Sequence, residues 1–228
     1  MNGQQIVQGG GRGWENRSAP PGVASLAKYN PNRPDAVEGI WQPLYDFQTY
    51  AMAGQTQLNF FQVPQGQSSK TLADTNMTIA GSLPNPQAFF CTGVMIDFNP
   101  LNVVSAIGAA ALRVQANAND VAAVGRSGFL EFQIGSKVYL QDAPLNKFAT
   151  NYNAGIDSSI SAFGTAAAPA QVDTDYAKWK GRYYAVTPFL IPPTQNFSVR
   201  LNWPTAVAVT VAARIGVILD GFLYRQSQ

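Results

Sequence analysis

The sequence predicts an all-β domain, a sandwich or barrel of about eight antiparallel strands with little helix. From residue 44 onward, apolar and polar side chains alternate with a period of two, which is the pattern of half-buried strands. Turn-forming stretches separate these runs at spacings of roughly 8–20 residues. No repeat of roughly 20–50 residues is visible, which argues against propellers and solenoids. A length of 228 residues suits one domain of this class.

The composition is that of a folded chain with an unusually uncharged surface. Of its residues, 46% are hydrophobic and 12% are charged, whereas an ordinary domain is about 25% charged. Amides replace many of the missing charges, with 16 Asn and 18 Gln. Because the solubility of a free monomer depends on surface charge, we expect copies of the chain to cover much of this surface.

The residues that are missing exclude most catalytic and metal chemistry. The chain has no histidine and one cysteine, Cys91. Histidine-dependent triads, histidine metal ligands, internal disulfides and multi-cysteine zinc sites are therefore excluded. A net charge of +2 argues against a dedicated nucleic-acid binder. We predict no catalysis, no cofactor and no metal.

The sequence pattern predicts neither a secretory signal nor a membrane-spanning segment. The first residues, MNGQQIVQGGG, contain neither a charged start nor an apolar run, so we expect no secretory signal. The longest apolar stretch, near Val103–Leu112, is broken by Ser105 and Gly108 and is too short to span a bilayer. The expected compartment is the cytoplasm, or wherever a cytoplasmic product is delivered.

Residues 1–40 are predicted to be an extended arm, followed by a domain over residues 41–228. The arm is dense in Gly, Pro and Asn and shows no helical or strand period, so it has no core of its own. Its four basic and three acidic residues give a net charge of only +1. A disordered tail and an arm that packs on its own domain or on a neighbouring subunit both fit this composition. In the second case the anchors are Trp14, Arg17, Tyr29, Arg33 and Trp41.

The first half of the domain contains two clear strands. Leu58 and Phe60 alternate with Asn59 and Phe61 shortly before Pro64. The segment PNPQAFFCTGVMIDFNP is apolar on both faces, which predicts a central strand between two prolines. Cys91 on this strand is expected to be a small buried hydrophobe. The alternation assigns one face to Phe90, Thr92, Val94, Ile96 and Phe98, and the other to Phe89, Cys91, Gly93 and Met95.

Residues 103–125 favour helix more than any other part of the chain. The run SAIGAAALRVQ fits a helix or a strand. NDVAAVGRSG predicts a short helix with Asn119 or Asp120 as its N-cap and Gly125 or Gly128 at its end. The next segment, FLEFQI-GS-KVYLQ, predicts a hairpin, in which Gly135 supplies the first central residue of a type II′ turn.

The last third begins with a long insertion and returns to strands. The insertion covers about residues 150–178 and has no firm period, so we expect it to be functional or to lie at an interface. The strands that follow are RYYAVTPFLIPP, FSVRLNW, TAVAVTV and RIGVILDGFLYR, with a turn at residues 194–196 after the first.

No catalytic constellation exceeds what is expected by chance. The glycines at 9–13 follow no strand and lack a Lys-Ser/Thr ending, so they do not predict a phosphate loop. Asp173-Thr174-Asp175 is expected to be a solvated loop rather than a cation site. Glu131, Asp97 and Asp220 are the carboxylates considered for glycoside hydrolysis. For the last two, hydrogen bonding or turn capping is the favoured role. The aromatic residues are expected to belong to the core rather than to a sugar-binding or base-stacking platform.

Five segments in order carry a resemblance to a known family. They are TYAMAGQTQLNFFQV, TNMTIAGSLPNPQAFFCTGVMIDF, RSGFLEFQIGSKVYLQDAPLNKF, PPTQNFSVRLNWP and ARIGVILDGFLYR, and they follow an irregular N-terminal arm. In this order the chain resembles single jelly-roll capsid proteins of tailless icosahedral viruses, particularly bacterial ones. The likeness spans residues 45–225 as a pattern of strands and turns, without a diagnostic short motif.

The resemblance implies a structural virion protein whose single jelly roll has two four-stranded sheets. Its partners would be many copies of itself, with other virion proteins or an internal membrane as further candidates, and its location the virion after assembly in the host cytoplasm. The arm is not strongly basic, so we expect no strong direct nucleic-acid binding.

Other classes of function remain as alternatives. A lectin-like or receptor-binding sandwich, such as a virion spike, is the second hypothesis and would use the insertion and exposed aromatics. A carboxylate-dependent glycosidase or lyase is third. An outer-membrane barrel is fourth, because its signal sequence and even strand spacing are missing.

Overall fold

Two antiparallel sheets make up most of the described chain, which in this computed structural model comprises residues 37–100, 119–148, 161–165, 168–173 and 184–226. The predicted all-β sandwich is confirmed. Residues 119–127 are helical (α1), and Leu145–Lys147 form a turn of 3₁₀ helix. The strands are β1 (Val37–Trp41), β2 (Leu44–Tyr50), β3 (Gln57–Phe60), β4 (Ala88–Pro100), β5 (Phe129–Ile134), β6 (Lys137–Pro144), β7 (Ser161–Thr165), β8 (Ala168–Asp173), β9 (Tyr184–Ile191), β10 (Phe197–Asn202) and β11 (Ala213–Gln226).

The first sheet has the strand order β1–β11–β4–β9, and β2 also pairs with β11. β2 lies beside residues 213–219 of β11, whereas β1 lies beside residues 222–226. β1 and β2 therefore follow one another along the same edge of this sheet. The second sheet has the order β3–β10–β5–β6, and β7 and β8 form a separate two-stranded ribbon.

The strands pair in a nested order. With β1 and β2 counted as one strand and the ribbon left aside, the first strand pairs with the last, β3 with β10, β4 with β9, and β5 with β6. This is the pairing of one long antiparallel hairpin that has been folded into two sheets. β1 also corrects the predicted end of the arm at residue 40: residues 37–40 belong to the sheet, because they pair with β11 while Ile40 packs against the core.

A hydrophobic core fills the space between the sheets. Phe132 of β5 and Phe189 of β9 meet across it, with ring centroids 4.7 Å apart. The indole Nε1 of Trp203 donates a hydrogen bond to the carbonyl oxygen of Val124 (3.0 Å), which ties α1 to the end of β10. The largest fully buried side chains are Tyr50, Phe60, Phe61, Phe89, Phe132, Phe148, Met77, Leu130, Ile191, Leu201, Ile215 and Leu219.

β4 is central, as predicted, but its faces differ from the predicted ones. Its register with β11 shifts where Asp220 pairs with Gly93 and Gly221 with Cys91, so Thr92 is an extra residue. This bulge turns Cys91 into the core together with Val94. The simple alternation is therefore wrong on the N-terminal side of the bulge, where Phe89 also points inward and Phe90 outward. A Cβ on Gly221 would lie 2.0 Å from the carbonyl oxygen of Phe90, so the bulge requires glycine there.

The predicted hairpin is confirmed, and the helix is confirmed in part. Between β5 and β6, Gly135 has a φ of 56° and Ser136 has no positive φ, which matches the requirement of a type II′ turn. α1 ends before Gly128, as predicted. The N-cap prediction is wrong, because residues 119 and 120 are already helical. The Asp120 carboxylate instead accepts a hydrogen bond from the backbone N–H of Thr210 (2.8 Å).

In the C-terminal half, one predicted strand is wrong and one unpredicted pair of strands is present. TAVAVTV is not a strand, because its backbone N–H groups bond outside the two sheets. The Val209 N–H donates to the Met52 carbonyl oxygen (2.9 Å), and the Thr210 N–H donates to the Asp120 carboxylate of α1. The insertion at 150–178 contains the ribbon β7–β8, which its composition did not predict. Its other residues, and the run SAIGAAALRVQ, lie outside the described ranges.

A buried carboxylate anchors the long loop between β3 and β4. Asp46 of β2 has no exposed surface and forms an ion pair with the ammonium group of Lys70. It also accepts a hydrogen bond from the backbone N–H of Phe61 (2.7 Å). Phe61 has a φ of 67°, so the chain turns after β3 and its ring is buried rather than outward as the alternation predicted. Burial raises the pKa of the Asp46 carboxyl in spite of the nearby Lys70.

Candidate interaction surface

The outer face of the second sheet is mainly polar on β3, β10 and β5, whereas β6 at its edge exposes Val138 and Tyr139. On β10, Arg200 donates a hydrogen bond to the side-chain oxygen of Gln133 (2.8 Å) and lies 3.9 Å from the Glu131 carboxylate. Glu131, a candidate catalytic acid, is thus half-exposed and paired with a cation. Antiparallel sheets commonly present one such solvated face. The outward residues of β3, β10 and β5 are Gln57, Asn59, Ser198, Arg200, Asn202, Phe129, Glu131 and Gln133.

The outer face of the first sheet is largely apolar. Its members alternate along each strand with residues of the core, so they point away from the second sheet. Polar side chains between them are few, with Arg214, Asp97 and Asp220 the charged ones. This surface, called the apolar face below, consists of Trp41, which is exposed, and of the half-buried residues Tyr45, Phe47, Met95, Leu190, Ile218 and Tyr224.

Trp41 is the most exposed large hydrophobic residue in the described part of the chain, with 74% of its surface accessible. It ends β1 at the edge of the apolar face. Its indole Nε1 donates a hydrogen bond to Asp220 Oδ1 (2.9 Å), which holds the ring in place. A fixed and exposed indole is typical of the anchors of protein interfaces. The other predicted arm anchors, Trp14, Arg17, Tyr29 and Arg33, lie outside the described residues.

Arg214 joins the apolar face to the neighbouring loop. Its guanidinium group lies 4.0 Å above the centroid of the Phe47 ring, which fits over the bare backbone of Gly216. The same group bonds to the Ala73 carbonyl oxygen and lies 3.3 Å from the Asp74 carboxylate. Ala73 and Asp74 therefore lie beside the apolar face at its edge, and Asp74 pairs with Arg214.

The two carboxylates of the apolar face do not form a catalytic pair. Asp97 lies opposite Gly216 and Asp220 lies opposite Gly93, four positions apart along β11, or roughly 13 Å at the strand rise. Glycoside hydrolysis needs two carboxylates within about 5–9.5 Å. The hydrogen-bonding role favoured from the sequence is confirmed for Asp220, which binds the Trp41 indole. Burial raises the pKa of the Asp97 carboxyl, and Arg214 lowers it by a smaller amount.

Cys91 is expected to be inert towards thiol reagents in the folded protein. Its side chain has no exposed surface, as predicted, and burial raises the pKa of its thiol to about 12. Because the thiolate is the reactive form, very little can react near pH 8. Titration with a disulfide reagent should detect one thiol in denaturant and almost none without it. Rapid reaction of the folded protein would contradict the buried position.

Neither a metal-ligating cluster nor a membrane-spanning helix is found in the described part of the chain. Within the described ranges, no three His, Cys, Asp or Glu side chains are close enough together to hold a metal ion. Among the same residues, no helix is long and apolar enough to cross a membrane. The Asp173-Thr174-Asp175 motif lies where side chains are not described. Comparison of the chain with protein-family models, curated proteins and solved structures gives no match.

Proposed function

We propose that this chain is a structural virion protein without catalytic activity, a subunit that assembles with many copies of itself into a closed shell. The proposal includes the finer fold assignment, a single jelly roll of the kind that the sequence resemblance implies. Other virion proteins or an internal membrane are further candidate partners, and direct genome binding is not expected. The subunit would assemble in the host cytoplasm and reside in the virion.

The nested strand pairing supports the jelly-roll assignment. A jelly roll contains eight strands in two sheets that form two Greek keys. Here the outermost pair of the folded hairpin is the first strand with the last, and the innermost pair is β5 with β6. Between them, β11 pairs with β4 and β10 pairs with β5, which folds the hairpin into two sheets of four columns.

The observation that carries the proposed function is the apolar face on a chain with only 12% charged residues. Soluble monomers rarely expose large contiguous apolar patches, and such patches commonly mark interaction sites. A subunit that contacts several neighbours tolerates amide and apolar surface, because buried charges would carry a desolvation cost. A two-fold contact joins copies in pairs, and additional heterologous contacts between the pairs close into rings or shells when symmetry allows.

The mass of the purified full-length protein tests this function directly. We expect sedimentation velocity and electron microscopy to detect closed particles in the megadalton range. The alternative outcome is a single species at the monomer mass of 24.5 kDa that persists as the concentration is raised. That outcome would contradict the proposed function, whatever the detailed fold.

A second candidate function is a lectin-like or receptor-binding module, such as a virion spike. It is favoured by the exposed indole of Trp41, because exposed aromatic rings can stack on sugars. A glycan array tests this function: binding by the isolated monomer that free sugar competes away, and that Trp41→Ala removes, would favour it over the shell subunit.

A further inference from the structure

We propose that the apolar face of the first sheet is the surface by which one copy of this chain packs against a second copy, with Trp41 as the anchor of the contact. The inference rests on the proposed self-assembly and deepens it, because it specifies which surface is covered. The polar outer face of the second sheet is then left towards solvent or towards weaker contacts.

The first sheet as a whole is about as large as one side of a standard interface. β11 has 14 residues, which is about 46 Å at the strand rise, and neighbouring strands lie about 4.8 Å apart. Four columns of strands therefore offer at most roughly 650–900 Å² of flat area. A standard protein interface buries about 800 Å² on each partner.

The charges of the apolar face favour a second copy over an anionic partner. It carries one cation, Arg214, and two carboxylates, Asp97 and Asp220, so it does not attract nucleic acid or anionic lipid. Arg214 and Asp220 each lie three residues from Val217 on β11. A two-fold axis near Val217 would bring Arg214 of each copy towards Asp220 of the other. Such self-complementarity is the property of a two-fold interface.

The hydrogen bond of the Trp41 indole lowers the cost of burying this side chain in a contact. Its indole N–H already bonds to Asp220, so covering the ring leaves no donor without a partner. The hydrogen bond also restricts the side chain before association, which lowers the entropy cost of the contact. Large aromatic residues fixed in this way supply much of the free energy of protein interfaces.

Asp97 has only the electrostatic influence of Arg214 in the described chain, and a second copy can supply a direct contact. Its carboxylate is half-buried and forms no hydrogen bond or ion pair within the described chain. Covering the apolar face would bury this carboxylate further, and a buried charge requires a donor. We therefore expect a cationic or hydrogen-bonding side chain of the neighbouring copy to contact Asp97.

Thiol footprinting can test which face is covered. Because Cys91 is buried, a cysteine introduced at exposed Thr49 on the apolar side reports on that side, and one at exposed Asn59 reports on the second sheet. Each variant is labelled with a maleimide as assembled particles and as dissociated folded chain. We expect labelling of Thr49→Cys to slow about tenfold or more on assembly, and that of Asn59→Cys to change little.

The outcomes separate this inference from the proposed function. If particles form and Thr49→Cys is labelled equally fast in both states, the inference is wrong and self-assembly stands. If no particle forms at any concentration, the proposed function fails first. If assembly slows the labelling of Asn59→Cys more than that of Thr49→Cys, the contact lies on the second sheet and the inference is wrong.

Substitutions on the apolar face provide an independent readout. Trp41→Ala is expected to raise the concentration needed for assembly about tenfold or more, whereas Met52→Ala, at another exposed apolar residue, should leave it unchanged. Asp97→Asn should stabilise the dissociated chain against heat and yet weaken assembly. Equal effects of Trp41→Ala and Met52→Ala, or stronger assembly of Asp97→Asn, would contradict the contact.

Discussion

Removal of residues 1–36 is expected to abolish particle formation and to leave the β-sandwich folded. The predicted arm contains Trp14 and Tyr29, and large aromatics of this kind supply most of the burial in an extended contact. Each stable contact in a shell needs about 1,200–2,000 Å² of total buried area, and an arm adds area without enlarging the domain. Losing it should lower the free energy of every contact, and a closed shell needs many contacts at once.

The structure determines where this deletion ends. Residues from Val37 onward pair with β11, so a deletion to residue 40 would remove most of β1 and confuse folding with assembly. The deleted protein is compared with a Trp14→Ala, Tyr29→Ala variant of the full chain by sedimentation, circular dichroism and thermal unfolding. Retained β-sheet signal without particles is the expected result. Particles of normal size from the deleted protein would contradict a role of the arm in assembly.

Asp46→Ala is expected to be the most damaging single substitution in the described core, with a loss of about 3–5 kcal/mol in the free energy of unfolding. The substitution leaves the ammonium group of Lys70 and the backbone N–H of Phe61 without their shared acceptor. Since Lys70 is only slightly exposed, water compensates this loss poorly. The loop between β3 and β4 should detach first, because Asp46 is its buried anchor.

Two controls separate the charge of Asp46 from its hydrogen bonds. Asp46→Asn keeps an acceptor for Phe61 and carries no charge, so it should cost less than Asp46→Ala. Burial raises the pKa of this carboxyl in the folded protein above its ordinary 3.8. The Asp46 contribution is therefore most favourable below that ordinary pKa and declines as pH rises through the raised value.

Denaturant unfolding of the three proteins from acidic to neutral pH measures both effects. The pH-dependent contribution of Asp46 should disappear in Asp46→Asn. An Asp46→Ala protein within about 1 kcal/mol of the original, which is the range of a surface substitution, would show that the loop does not depend on this anchor.

The sequence by itself determined the class of fold and most of the strands. Alternation of apolar and polar residues is a local property, so the strand with Leu58 and Phe60 and the two strands of the hairpin FLEFQI-GS-KVYLQ were correctly predicted. The turn of this hairpin was also predictable, because a two-residue hairpin loop demands glycine at a given position. Composition, by contrast, supports only the proposal that copies of the chain cover its surface.

Only the tertiary structure decided which apolar residues face the core and which face outward. The bulge at Thr92 depends on the pairing of β4 with β11, more than a hundred residues away in the chain, and it reverses the faces that alternation assigns. The hydrogen bond between Trp41 and Asp220 joins residues 179 positions apart. When both sides of a strand are apolar, as in β4, the sequence pattern does not distinguish the side that faces the core from the side that faces outward. The partner sheet selects one side for burial, and this selection places the apolar face on the outside of the first sheet.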